Sequence, residues 1–159
     1  RLVFDTTSPE GFAEALSFAT NYFNANKSGY GLNDADLAVV IVARHSSTAF
    51  AYTDAMWTKH GALLAQRAGV LDPKTKQAPT VNVHRARIDG LINRGAHLAV
   101  CQMATRNHAG IIAKAGGTDT DSVYKELVAN LVGNAHMVPA GVVAVNRAQE
   151  RGYSLVHGG

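Results

Sequence analysis

The sequence predicts an α/β domain: a three-layer sandwich built on a mostly parallel sheet of about five strands. Three observations carry that expectation. Short apolar runs alternate with longer stretches of helical periodicity almost from end to end. No tight hairpin turn joins successive apolar runs. The run LAVVIVAR at 37–44 is β-branched without polar alternation, as in a strand buried on both faces.

The elements follow in order. RLVFDTT at 1–7 reads as a first strand. The next stretch, 8–26, reads as a helix with Ser8 as its N-cap, Pro9 at its first position and Glu10 in its first turn. Phe12, Leu16, Ala19 and Phe23 share one face of it, so that face packs on something. KSGYGLNDAD is a polar connection to the strand at 37–44. A polar loop opening at His45 then leads into a helix with a break expected near Gly61. LDPKTKQAPT at 71–80, with two prolines, reads as a loop. A helix is expected over 81–95 and stops at Gly95. HLAVCQM is a third strand, followed by a helix ending near Gly116 and Gly117. Cap residues in TDTDS announce another amphipathic helix. AHMVP, GVVAVNRAQERG and YSLVHGG close the chain as strand, helix and strand.

At 159 residues the chain, 1–159, is read as one domain, large enough for a core without covalent staples. Its net charge of +3 is spread without runs of like sign, which argues against nucleic acid as a partner. No apolar run reaches the roughly 20 residues of a membrane span. One cysteine forms no internal disulfide and leaves the redox compartment open. The sequence opens on Arg1 rather than Met, so an exported protein that has lost a leader and a cytoplasmic protein are both expected possibilities.

In an open parallel sheet, ligands bind beyond the carboxyl ends of the strands. Three such ends are present: ARHSST, CQMATRNH and VPAG. Cys101 stands between a strand and a helix N-terminus, whose unpaired N–H groups and partial positive charge favour thiolate. Arg106 and His108 are candidates for further positive charge beside it, and His45 and Ser46 follow the neighbouring strand. The competing reading is a small buried hydrophobe. Phe50, Tyr52 and Trp57 either line a pocket or pack in the core. His60, His84 and His157 read as surface or terminal residues, and His97 as solvent-facing. No histidine pair has a recognised metal spacing, so no cofactor is expected. The alternative is a metal or haem held by His45, Cys101 and His108. Esterase-elbow and phosphate-loop motifs are absent.

Three stretches, LAVVIVARHSSTAFAYTD, HLAVCQMATRNHAGI and HMVPAGVVAVNRAQERGYSLVHGG, resemble the DsrE/DsrF-like family of small α/β sulfur-transfer proteins, most of all its lone-standing members. The resemblance implies that Cys101 accepts sulfur as a persulfide and passes it to a partner. It also implies donor and acceptor proteins and a homo-oligomer, a trimer or hexamer. With charge sparse at 17%, apolar surface left on the helices points the same way. In such an assembly the cleft near Cys101 and His45 is expected at a subunit boundary, covered by aromatic residues such as Trp57.

Overall fold

The computed structural model describes residues 1–158; Gly159, the end of the expected final strand, lies outside the described residues. Five strands form one sheet: β1 (Leu2–Thr6), β2 (Val39–Ala43), β3 (His97–Cys101), β4 (Ala135–Val138) and β5 (Ser154–Gly158). Their order is β4-β3-β2-β1-β5, and every pairing is parallel. Six α-helices connect them: α1 (Pro9–Tyr30), α2 (Asp54–Ala68), α3 (Arg85–Ile92), α4 (Gln102–Gly116), α5 (Thr120–Ala129) and α6 (Gly141–Glu150). Among the described residues no helix is long and apolar enough to cross a membrane.

Chain direction explains how the helices divide between the two faces. From β1 through β4 the sheet grows toward one edge, and right-handed crossovers then set α1 to α5 on a single face. The link from β4 must return to β5 at the far edge, so the same handedness puts α6 on the opposite face. The two cores differ accordingly. Phe4, Ile41, Leu98 and Val100 meet Phe12, Leu16, Phe23, Trp57, Leu64 and Leu127 in the main core. On the other side Val3, Val42 and Ala99 meet only Val145, with Val40, Val138 and Tyr153 packed around them.

Local chemistry sets the boundaries. Ser8 caps α1 by accepting a hydrogen bond from the Gly11 N–H at 3.0 Å. The helix runs four residues past the expected end at Asn26, because Lys27 and Ser28 tolerate helix and the left-handed Gly31 (φ 68°) makes the stop. α2 is not broken at Gly61. That glycine is instead a close approach, since a Cβ there would lie 2.3 Å from the Pro79 carbonyl oxygen. α3 is shorter than the predicted 81–95: Asn82 takes a non-helical place, its side-chain amide donating to the Phe50 and Tyr52 carbonyls. β3 ends at Cys101, and Gln102 and Met103 already belong to α4.

Candidate functional site

The cleft around Cys101 follows from the topology. At the carboxyl end of the sheet, α4 leaves β3 toward the main-core face while α6 leaves the adjacent β4 toward the other. Neighbouring chains that part in this way open a crevice, the place where ligands bind in open α/β sheets. Here the crevice is a cleft of about 320 Å³, lined by Cys101, Arg44, His45, Arg67, Asn107 and Gly141 among others. The N-termini of α4 and α6 both open onto it.

Cys101 is the N-cap residue of α4, and its carbonyl oxygen accepts from the Thr105 hydroxyl at 3.0 Å. The residue is 7% exposed and lines the cleft. It is a free thiol.

Arg44 supplies the fixed charge. Its guanidinium donates to both Asp5 oxygens, Nε at 2.7 Å and Nη2 at 2.8 Å, a bidentate pair that sets orientation as well as charge. The Asp5 hydrogen bonds raise the Arg44 pKa against the cost of partial burial, and Cys101 lies near enough to add a Coulombic contribution. The Arg44–His45 turn is pinned from below by Ser47. The Ser47 hydroxyl oxygen accepts from the Arg44 backbone N–H at 3.0 Å and from the Thr6 hydroxyl at 2.9 Å. His45 itself is exposed and held at φ 53°, a left-handed conformation costly for a residue with a Cβ. Gly141 completes the wall: a Cβ there would stand 2.7 Å from the Arg44 Cβ, so the α6 N-terminus rests directly on the arginine stem.

Of the residues singled out from sequence, Cys101 and His45 meet in this cleft and the others do not. Ser46 is half-buried beside it, its N–H donating to the Thr7 carbonyl at 3.1 Å. Arg106 points to the α4–α5 surface, where it reaches Asp121 at 3.2 Å and covers the Tyr124 ring at 4.2 Å. His108 turns into the core, with Nδ1 3.1 Å from the Tyr52 hydroxyl and Nε2 buried without a partner. Burial, reinforced by Arg67, lowers its pKa to about 4, so it is neutral near neutral pH and adds no positive charge beside Cys101. The alternative His45, Cys101 and His108 ligand set is therefore not assembled, and no three such groups among the described residues could hold a metal. Trp57 is fully buried, its indole N–H donating to the Ala49 carbonyl at 3.2 Å, and Phe50 stacks on it. It is a core residue and is unable to cover a neighbouring subunit's cleft. His84, expected at the surface, packs edge-on against Phe50, and burial with Arg87 lowers its pKa to about 4.

Sequence reasoning overlooked Arg44, Arg67, Asn107 and Ser47. Arg44 was legible in principle: it ends an apolar strand, where a charge needs a reason. Arg67 comes from the last turn of a helix distant in sequence, and no local signal connects it to Cys101.

Fold and cleft together define a small α/β domain with one cysteine at its topological switch point. No family model matches the chain, and no curated protein matches it. A protein of unknown function from Methanobacterium thermoautotrophicum, MTH1491, has a similar solved structure at 18% identity and a TM-score of 0.48. The likeness spans 99% of this chain and 97% of that one.

Proposed function

We propose that this protein is a DsrE/DsrF-like sulfur carrier that accepts sulfane sulfur as a persulfide on Cys101. The observation that carries the reading is the placement of the chain's single thiol in the switch-point cleft, beside a guanidinium fixed by Asp5 and at the start of a 15-residue helix. Thiolate, not thiol, is the nucleophile in sulfur exchange. The three sequence stretches that resemble the family contribute the residues at the strand ends.

The step is a displacement. The Cys101 thiolate attacks the outer sulfur of a donor persulfide, and a new S–S bond forms as the donor's own S–S bond breaks. The donor thiolate leaves with the electron pair, and Cys101 holds a persulfide. An acceptor thiolate then attacks that outer sulfur and regenerates the Cys101 thiolate. Arg44, in its bidentate pair with Asp5, and the α4 N-terminus line the cleft in which each transfer takes place.

The proposal includes self-association as a trimer or hexamer. The second face of the sheet is covered by one ten-residue helix, which leaves Val142, Val143 and Leu155 exposed. A groove of about 340 Å³ beside them is lined by Val40, Val138, Pro139 and Tyr153. Exposed apolar side chains gathered on one face are what self-association would cover.

The test is transfer of radiolabelled sulfane sulfur from glutathione persulfide. Wild type should retain label that dithiothreitol releases, and Cys101→Ser should retain none. Equal labelling of the two would overturn the assignment.

A further inference from the structure

We propose that His97 and His136 form a binding site for a divalent transition-metal ion that prefers imidazole, with Cu²⁺ held more tightly than Zn²⁺. The two side chains stand on neighbouring parallel strands. Ala99 is in register with His136, so His97 and His136 are diagonal neighbours on one face of the sheet. That is the thinly covered α6 face, and both histidines are exposed there.

Their geometry is that of a chelate with a proton in place of the ion. The His97 Nδ1 lies 3.2 Å from the His136 Nε2, and the rings lie nearly parallel with centroids 5.3 Å apart. Two ligand nitrogens on one tetrahedral ion, each about 2.0–2.1 Å from it, are about 3.3–3.4 Å apart. The observed separation therefore accommodates an ion after small rotations of two surface rings. As a hydrogen-bonded pair the nitrogens share one proton; as a metal site both lone pairs turn to a common point on the solvent side. The remaining coordination positions receive no ligand from this chain, because no third His, Cys, Asp or Glu among the described residues joins them. A site of imidazole and open positions suits Cu²⁺ and Zn²⁺, and for a given set of ligands Cu²⁺ binds more strongly.

The site is separate from the sulfur chemistry. His97 begins β3 and Cys101 ends it, roughly 13 Å away at the strand rise of about 3.3 Å per residue. His157 provides a control: it too is exposed, but on β5 it faces Asp5 of β1 at 3.6 Å and no second imidazole among the described residues.

The test is calorimetric titration of tag-free full-length protein with Cu²⁺ and then Zn²⁺, in the Cys101→Ala background so that no thiol competes. One equivalent of Cu²⁺ should bind per chain, with Zn²⁺ weaker. Loss of a direct ligand should cost at least about tenfold, the lower end of what even outer-shell losses cost. His97→Ala and His136→Ala should each show that weakening, while His157→Ala binds as its parent does. Circular dichroism checks that these surface variants are folded. Absent binding, Zn²⁺ tighter than Cu²⁺, or affinity unchanged in both His97→Ala and His136→Ala would overturn the proposal.

Discussion

Replacing His108 with leucine should remove a large part of the protein's sensitivity to acid. His108 is buried and neutral in the folded state, with its pKa depressed to about 4 by burial and then by Arg67. In the unfolded chain it returns to about 6.5. The unfolded state therefore binds more protons between these values, and stability falls as pH is lowered through that window. Stability is fully present above about pH 6.5 and is lost progressively toward about pH 4. From about pH 7.5 to about pH 5 the loss from this one residue amounts to about 2 kcal/mol, and it approaches about 3 kcal/mol below pH 4. At a urea slope of about 2 kcal/mol/M, the wild-type midpoint should drop by about 1 M more than that of His108→Leu over the same interval. The leucine variant leaves the Tyr52 hydroxyl without its partner, which costs about 1–3 kcal/mol. That cost is the same at both pH values and cancels from the comparison. Urea melts at two pH values supply the assay, and the His108 ring resonance reports its titration directly. Equal pH dependence in the two proteins, or a ring that titrates near its ordinary value in the folded state, would refute the reasoning.

Three further outcomes are expected. Gly141→Ala should lose about 1–3 kcal/mol in urea unfolding and slow alkylation of Cys101, because the new methyl displaces the Arg44 stem rather than a flexible tip. His45→Gly should hold stability constant or raise it by up to about 1 kcal/mol in thermal unfolding, since glycine relieves the left-handed backbone while opening the cleft. A loss of more than about 1 kcal/mol there would make the imidazole a structural element. Light scattering at micromolar concentration should give a mass near three or six times the 16.8 kDa of one chain, and a mass of one chain would remove the assembly.

The fold was legible because its signals are local and redundant. The run at 37–44, the Ser8–Pro9 start and the glycines at 117 and 152 each act on their own few residues. The site was legible only in part. Cys101 and His45 were found because strand ends in a parallel sheet are binding positions whatever the side chains. His108 was misplaced, and of the two readings of Trp57 only the core one holds, for a different reason. Each belongs to a helix with polar neighbours in sequence, and which face turns inward depends on packing against Tyr52 and Ala49, which belong to a 3-10 helix at His45–Ala51 and its cap where the sequence predicts a loop. Arg44 escaped notice because β2 is buried on both faces, so no alternation marks the side it shares with Asp5. The His97–His136 pair depends on the register of β3 with β4, which no spacing within one strand encodes.

The proposed sulfur carrier is Cys101 in the switch-point cleft. Intact-mass spectrometry after incubation with glutathione persulfide tests it most directly, with peptide mapping to locate any adduct. A gain of about 32 Da, one sulfur atom, is expected on the peptide containing Cys101, reversed by an added thiol acceptor. An unmodified chain, under conditions where an exposed control thiol gains the same mass, would contradict it.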